Sequence, residues 1–350
     1  MQRVGGLDAL RAIAIFAVII FHLGGSWNRM GLIQDTSFVF RVTQTGSFGV
    51  QLFFIISGYL LSLLYSDSSF SMKQFFYRRI GRILPLWLIY IFAWIFIHNI
   101  FKTSPIQETP VTWILLLLIL TSLTSEASNS FLQGNFSISN EWVFYMSFPL
   151  LRRLGVYHLI VFGLLFYIFG IFLRFHYGFY EAPQASTGRD FLQWIGIFAF
   201  WNATPFFVAG MLIHRVSTQS FNRKKTPVIL IPFFLIVLGI VFLLKMETHI
   251  EIWIFILPIL FVILFKRETI PKPLYWAGQK SYGLFFSHFL FIGLFERLHK
   301  FYSGESNLVI IIGEVIFVAI GAILASSFTW RFIEKPAISW SHKRGRSALS

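Results

Sequence analysis

Residues 6–25, GLDALRAIAIFAVIIFHLGG, decide the fold: the run is long and apolar enough to cross hydrocarbon as a helix, yet it holds Arg11 and His22. At about 100° per residue, the spacing between them returns to nearly the same helix face, about 16 Å further along the axis. Arg11 therefore lies near one end of the span, with His22 deeper on the same stripe. Asp8, one turn before Arg11, joins it as a charge partner at the membrane boundary. A bilayer penalises such a polar track, so the stripe predicts a functional site.

The rest of the chain repeats the apolar pattern. Of 350 residues, 56% are hydrophobic and 13% charged, and the mean hydropathy is +0.70, which excludes a soluble globule. The first run lacks an A-x-A-type cleavage site and is followed by many equivalent runs, so it reads as a mature helix rather than a signal peptide. Further runs begin near residues 46, 83, 110, 155, 194, 227, 251, 281 and 306. The fold expected is an all-α integral membrane bundle of about ten transmembrane helices.

The net charge of +14 does not point to nucleic acid, because the basic residues sit in short segments between apolar runs. Lys73 to Arg82, Arg152 and Arg153, Arg215 to Lys225, Lys266 to Lys280 and Arg331 to Arg346 read as cytoplasmic by the positive-inside bias. Both termini then lie in the cytoplasm, and an eleventh crossing would break the bias. Residues 126–152, interrupted by Asn140, Glu141 and Pro149, are accordingly expected to form a re-entrant or interfacial segment around Glu141. With no cysteine there is no thiol chemistry, and no histidine pair has i, i+4 metal-ligand spacing, so no metal is assigned.

Several segments carry candidate chemistry. Gly46, Gly49, Ser57 and Gly58 in GSFGVQLFFIISGYLL (46–61) suit close helix packing. In FFYRRIGRILPLW (75–87), Arg79 and Arg82 share a helix face, with Arg78 as a third charge; the group reads either as a clamp for phosphate oxygens or as a topological anchor. Glu141 in FSISNEWVFYMSFP (136–149) can orient a histidine, act as a general acid or base, or counter an arginine. His288 in KSYGLFFSHFLF (280–291) and Glu314 in VIIIGEVIFV (309–318) are further intramembrane candidates.

Taken in order, these segments resemble the acyltransferase 3 family of multi-span membrane acyltransferases, typified by bacterial O-antigen and exopolysaccharide O-acetyltransferases. GLDALRAIAIFAVIIFH is similar to its opening Arg-x10-His helix, GVQLFFIISGYLL to its second helix and RRIGRILP to its Arg-x2-Arg. SISNEWVFYMSFP resembles its Trp-Ser-x-Ser-x-Glu-x-x-Phe-Tyr block, SYGLFFSHF its late histidine segment and FIEKP its terminal signature. Phe136 replaces the usual tryptophan, and Gln51 stands where many members are acidic.

The resemblance implies acyl transfer, usually acetyl, from a coenzyme A thioester to a hydroxyl of a cell-surface or exported glycan at the bacterial inner membrane, with no permanently bound cofactor. His22, Glu141 and Asp8 are then the catalytic candidates, and Arg11, Arg79 and Arg82 the donor-binding ones. Neutral His22 acts as general base or becomes transiently acylated. The expected organisation is a membrane acyltransferase domain over 1–336 and a short basic cytoplasmic tail over 337–350, with no appended hydrolase-like domain. Two alternatives share these residues: a glycan or lipid flippase, against which the absence of paired broken helices counts, and an acyltransferase of a small lipid or antibiotic scaffold.

Overall fold

The computed structural model describes residues 5–65, 70–101, 108–128, 134–176, 199–218, 270–299 and 307–347, and among them every regular element is helical. The expected spans from 227 and 251 lie outside the described residues. Among those described, five helices are long and apolar enough to cross a membrane: Gly5–Arg29, Phe38–Leu64, Met72–Ile100, Val156–Leu173 and Asn307–Gly345. Large apolar side chains such as Phe92, Phe96, Leu165 and Leu324 point outward from them, as hydrocarbon contact requires. The protein is a multi-pass membrane protein.

Helix α1 (Gly5–Arg29) runs through the centre. It packs on α2 (Phe38–Gln44), on the 3-10 turn Thr45–Ser47 and on α3 (Phe48–Leu64). The approach is close because Gly49 lies on the backbone of α1: a methyl group there would overlap the Ala14 carbonyl oxygen. Helix α4 (Met72–Ile100) starts at Ser71, whose hydroxyl accepts from the Gln74 amide at 3.3 Å. It therefore begins a full eleven residues before the apolar run from 83, and Arg79 and Arg82 lie inside the helix.

The apolar run from 110 does not continue as one span. Helix α5 (Pro110–Leu117) is capped by Thr109 and then stops, with Ile119 at φ 59° in the left-handed region. Trp87 Nε1 donates to the Leu116 carbonyl at 2.8 Å, and the Leu120 amide reaches back to Leu115 at 2.7 Å, so the helix end is satisfied without further turns. Beyond it, serine and threonine side chains take over the backbone groups. Ser128 Oγ donates to the Thr121 carbonyl at 2.8 Å, and Ser139 Oγ accepts from the Ser122 amide at 2.8 Å. These bonds seat the 3-10 turn Thr121–Leu123 and α6 (Ser125–Ser128) against α7 (Asn135–Leu151), the helix that carries Glu141.

Helices α8 (Val156–His176) and α9 (Phe200–Thr218) pack on each other, and α9 on α3, where Gly58 and Gly210 each abut the other helix's backbone. Short α10 (Lys272–Gln279) lies on α1, with Gly278 against the Asp8 carbonyl. Helices α11 (Ser281–His299) and α12 (Asn307–Thr329) pair, and a π turn, Trp330–Glu334, leads into α13 (Lys335–Ser347). The basic tail expected from 337 is helical through 347 and lies along the first half of α4, with Ser341 buried beside Gly81. Arg152 and Arg215 meet at one end of the bundle: Arg215 donates to the Arg152 carbonyl at 2.7 Å and to that of Leu154, and Arg152 to that of Tyr65 at 3.1 Å.

Candidate active site

Five helices deliver polar side chains to one cavity. Arg11 comes from α1, Ser57 from α3, Arg79 and Arg82 from α4, Ser137, Glu141 and Tyr145 from α7, and Ser281 and Tyr282 from the first turn of α11. Val50, Phe53, Phe54, Leu60 and Phe285 make the remaining wall apolar. Three of the four arginine candidates thus converge; Arg78 does not line the cavity.

Glu141 organises the chamber. One carboxylate oxygen accepts from Ser57 Oγ at 2.7 Å and from the Tyr145 hydroxyl, and the other accepts from the Tyr282 hydroxyl. Each tyrosine also presents its ring to an arginine, Arg82 at 4.7 Å from the Tyr282 centroid and Arg79 at 5.3 Å from that of Tyr145. The carboxylate therefore faces the guanidiniums through tyrosines, and no Arg–Glu141 ion pair occurs among the described residues. Among the described residues its hydrogen-bond partners include no histidine.

The guanidiniums are held from behind. Arg11 Nη1 bonds Asp8 Oδ1 at 2.9 Å, the only ion pair any of the three makes among the described residues. Buried Arg79 lies among the Tyr65, Phe75 and Tyr145 rings, and its Nε has no hydrogen-bond partner among the described residues. With one carboxylate shared through hydroxyls and one paired to Arg11, the chamber keeps positive charge. Planar guanidiniums in an apolar enclosure are suited to a multiply charged anion.

His22 lies outside this lining, contrary to a single stripe-shaped site. Ile15 and Val18, which share its face of α1 with Arg11, are fully buried in the apolar core and close that face between the two. The imidazole of His22 instead stands 5.4 Å from that of His288, ring centre to ring centre, and 4.4 Å from Phe289. Phe285 separates the two polar regions: it lines the chamber and its ring lies 5.7 Å from His288. Glu314 sits further along, fully buried, with Oε1 accepting from Ser26 Oγ at 2.7 Å. Neither Tyr145 nor Tyr282 is among the candidates read from the sequence; an i, i+4 spacing from Glu141 marks the first, while nothing local marks the second.

Comparison with known proteins identifies the family. The chain is similar to the O-acetyltransferase OatA of Staphylococcus aureus, 26% identical over 371 aligned residues that cover 95% of this chain and 56% of that protein. It is also similar to a candidate peptidoglycan O-acetyltransferase, YrhL, of Bacillus subtilis, 27% identical over 45% of this chain and 25% of that protein. The chain thus spans little more than half the length of one relative and a quarter of the other. No solved structure matches it. Residues 4–331 match the profile of an acyltransferase domain, a stretch that contains the arginine chamber, the histidine pair and Glu314 alike, and the chain belongs to the acyltransferase 3 family.

Proposed function

We propose that this chain is a membrane O-acetyltransferase that takes an acetyl group from a coenzyme A thioester at the cytoplasmic side and delivers it to a hydroxyl of a cell-envelope glycan. The observation that carries the reading is the convergence of Arg11, Arg79 and Arg82 on one chamber with, among the described residues, no directly paired carboxylate except Asp8. Both relatives are named for O-acetyl transfer, and one of them for peptidoglycan, which supports this reading. In this reading the full bundle has about ten spans with both termini cytoplasmic, and 126–152 is the re-entrant segment that brings Glu141 to the chamber.

The residues divide the work. Arg11, Arg79 and Arg82 hold the donor's phosphates, and Asp8 and Glu141 fix those arginines, the latter through Tyr145 and Tyr282. His22, about 16 Å from Arg11 along α1, meets the thioester at the end of the pantetheine arm, which is of the same order of length. In direct transfer, His22 takes the proton of the acceptor hydroxyl, the oxygen attacks the thioester carbonyl, the carbon–sulfur bond breaks, and the proton neutralises the thiolate. In two-step transfer, His22 attacks first and the acyl-imidazole is then cleaved by the hydroxyl. Both routes use the neutral ring and give the same products.

Purified chain incubated with radiolabelled acetyl-CoA and a peptidoglycan-type glycan tests the reading. Coenzyme A release that depends on the glycan, with label appearing as a base-labile ester, is expected. Glycan-independent release only, or no label on glycan, overturns it. His22→Ala is expected to abolish transfer while the protein inserts and accumulates normally. Exchange of labelled coenzyme A into acetyl-CoA without acceptor occurs only in the two-step route.

A further inference from the structure

His288 is fully buried, and its Nδ1 lies 3.0 Å from the Leu284 carbonyl oxygen. That oxygen can only accept, so Nδ1 carries the ring proton and Nε2 is left as the acceptor of a neutral imidazole. Nε2 is buried and has no hydrogen-bond partner among the described residues. An unsatisfied acceptor inside an apolar wall is unfavourable, and the surrounding Phe285, Phe286 and Phe289 mark a place where a phenyl ring would meet no such penalty. The neighbour available to it is His22. A centroid separation of 5.4 Å places the two imidazoles within reach of an N–H···N bond when their ring nitrogens face each other.

We infer that His288 is the positioning partner of His22, accepting that ring's N–H at Nε2 and sharing its proton during acyl transfer. The inference rests on the proposed role of His22 and deepens it. Anchored through Nδ1, His288 fixes His22 in the tautomer whose other nitrogen is free to act. When the acceptor hydroxyl gives its proton to that nitrogen, the opposite N–H proton of His22 passes to His288 Nε2. The oxygen–carbonyl bond forms, the carbon–sulfur bond breaks, and the proton held by the pair goes to the departing thiolate. The same exchange serves a two-step transfer, where the proton lost by His22 on acylation is held by His288 until the thiolate takes it. A neutral partner does in the membrane what a carboxylate does for histidine in a polar site, without adding a charge to the span.

His288→Phe and His288→Gln, compared in the purified full chain with acetyl-CoA and glycan, test this. Phenylalanine keeps the shape and removes the acceptor; glutamine keeps an acceptor for the His22 N–H. For His288→Phe, kcat is expected to fall about 100-fold with KM for acetyl-CoA unchanged, within the range of positioned acid–base groups. His288→Gln is expected to recover about tenfold of that loss, by orientation without proton uptake. Equal loss in both variants, an unchanged kcat, or a loss carried by KM overturns the inference. Nitrogen-15 spectra of histidine-labelled wild-type protein give a second readout that needs no folded variant at 288. A single His22 tautomer and an Nδ1-protonated His288 are expected; a mixed His22 tautomer population overturns the pairing. Retained transfer by His22→Gln would remove the proposed role of His22, while the spectrum still judges the pair.

Discussion

The Tyr282 hydroxyl donates to Oε2 of Glu141, joining α11 to α7 across 141 residues of chain. The consequence lies in what the arginines are spared. A direct salt bridge would occupy guanidinium N–H groups, whereas a carboxylate that accepts from Tyr145, Tyr282 and Ser57 balances charge and leaves those donors to a ligand. The tyrosine rings then stack on the guanidiniums and hold them in place. The chamber is partly charge-balanced from a distance, keeps net positive charge and is open to an anion.

Glu141→Gln tests that arrangement. A glutamine amide brings two donors toward partners that already donate, so at least one of the three hydroxyls loses its acceptor in a buried site. The expected cost is about 1–3 kcal/mol of stability, read as a lowered midpoint of thermal unfolding in detergent, together with weaker donor binding as Tyr145 and Tyr282 turn away. An unchanged midpoint would mean that the carboxylate is not the hub of the chamber.

Arg82→Lys separates a clamp from an anchor. Lysine keeps the positive charge that topology uses but loses the planar fork and the stacking on Tyr282. If the arginines bind the donor's phosphates, acetyl-CoA affinity measured on purified protein falls about tenfold or more, the loss of one charge-assisted bond of about 1.5–3 kcal/mol, while insertion is normal. Unchanged affinity assigns Arg82 to membrane orientation alone.

How much of this was legible in the sequence follows from distance along the chain. The Asp8–Arg11 pair, three residues apart on one helix, could be read directly and is present at 2.9 Å. The shared face of Arg79 and Arg82 was equally local, and both line the chamber. The Arg11–His22 stripe was read correctly as helix geometry, but the rotation of a helix says nothing about which neighbours fill the space between. Ile15 and Val18 are packed there, and His22 belongs with His288, a contact made by two helices distant in sequence. The break after Leu117 was hidden for the same reason: the run stays apolar, and the indole that takes the Leu116 carbonyl comes from Trp87 on another helix.

Gly58→Ala is expected to separate α3 from α9. The added methyl would overlap the Phe207 carbonyl oxygen, a backbone atom that cannot rotate aside, and the reciprocal contact of Gly210 on Ile55 gives the pair no slack. Overpacking of about 1–3 kcal/mol is expected, seen as a lowered thermal midpoint and broadened elution in detergent. Ser57 stands beside Gly58 and donates to Glu141, so donor binding should weaken as well. A wild-type midpoint would show that the two helices adjust independently of this contact.

Phe285 stands between the chamber and the histidine pair: it lines the first, and its ring is 5.7 Å from His288 in the second. On the proposed route, an acyl group travelling from the arginine end toward His22 would pass this side chain, which would limit the length of chain that fits. Phe285→Leu trims the wall and keeps an apolar side chain, so it is less damaging than removal of the whole ring. The kcat/KM ratio of butyryl-CoA to acetyl-CoA is expected to rise about tenfold, since one methylene in a hydrophobic pocket alters discrimination by about 10–200-fold. Phe285→Trp should lower transfer from both donors while leaving donor binding at the arginines intact, because the larger ring narrows the passage and does not touch the guanidiniums. A ratio unchanged by leucine, with full activity in the tryptophan variant, would route the acyl group elsewhere.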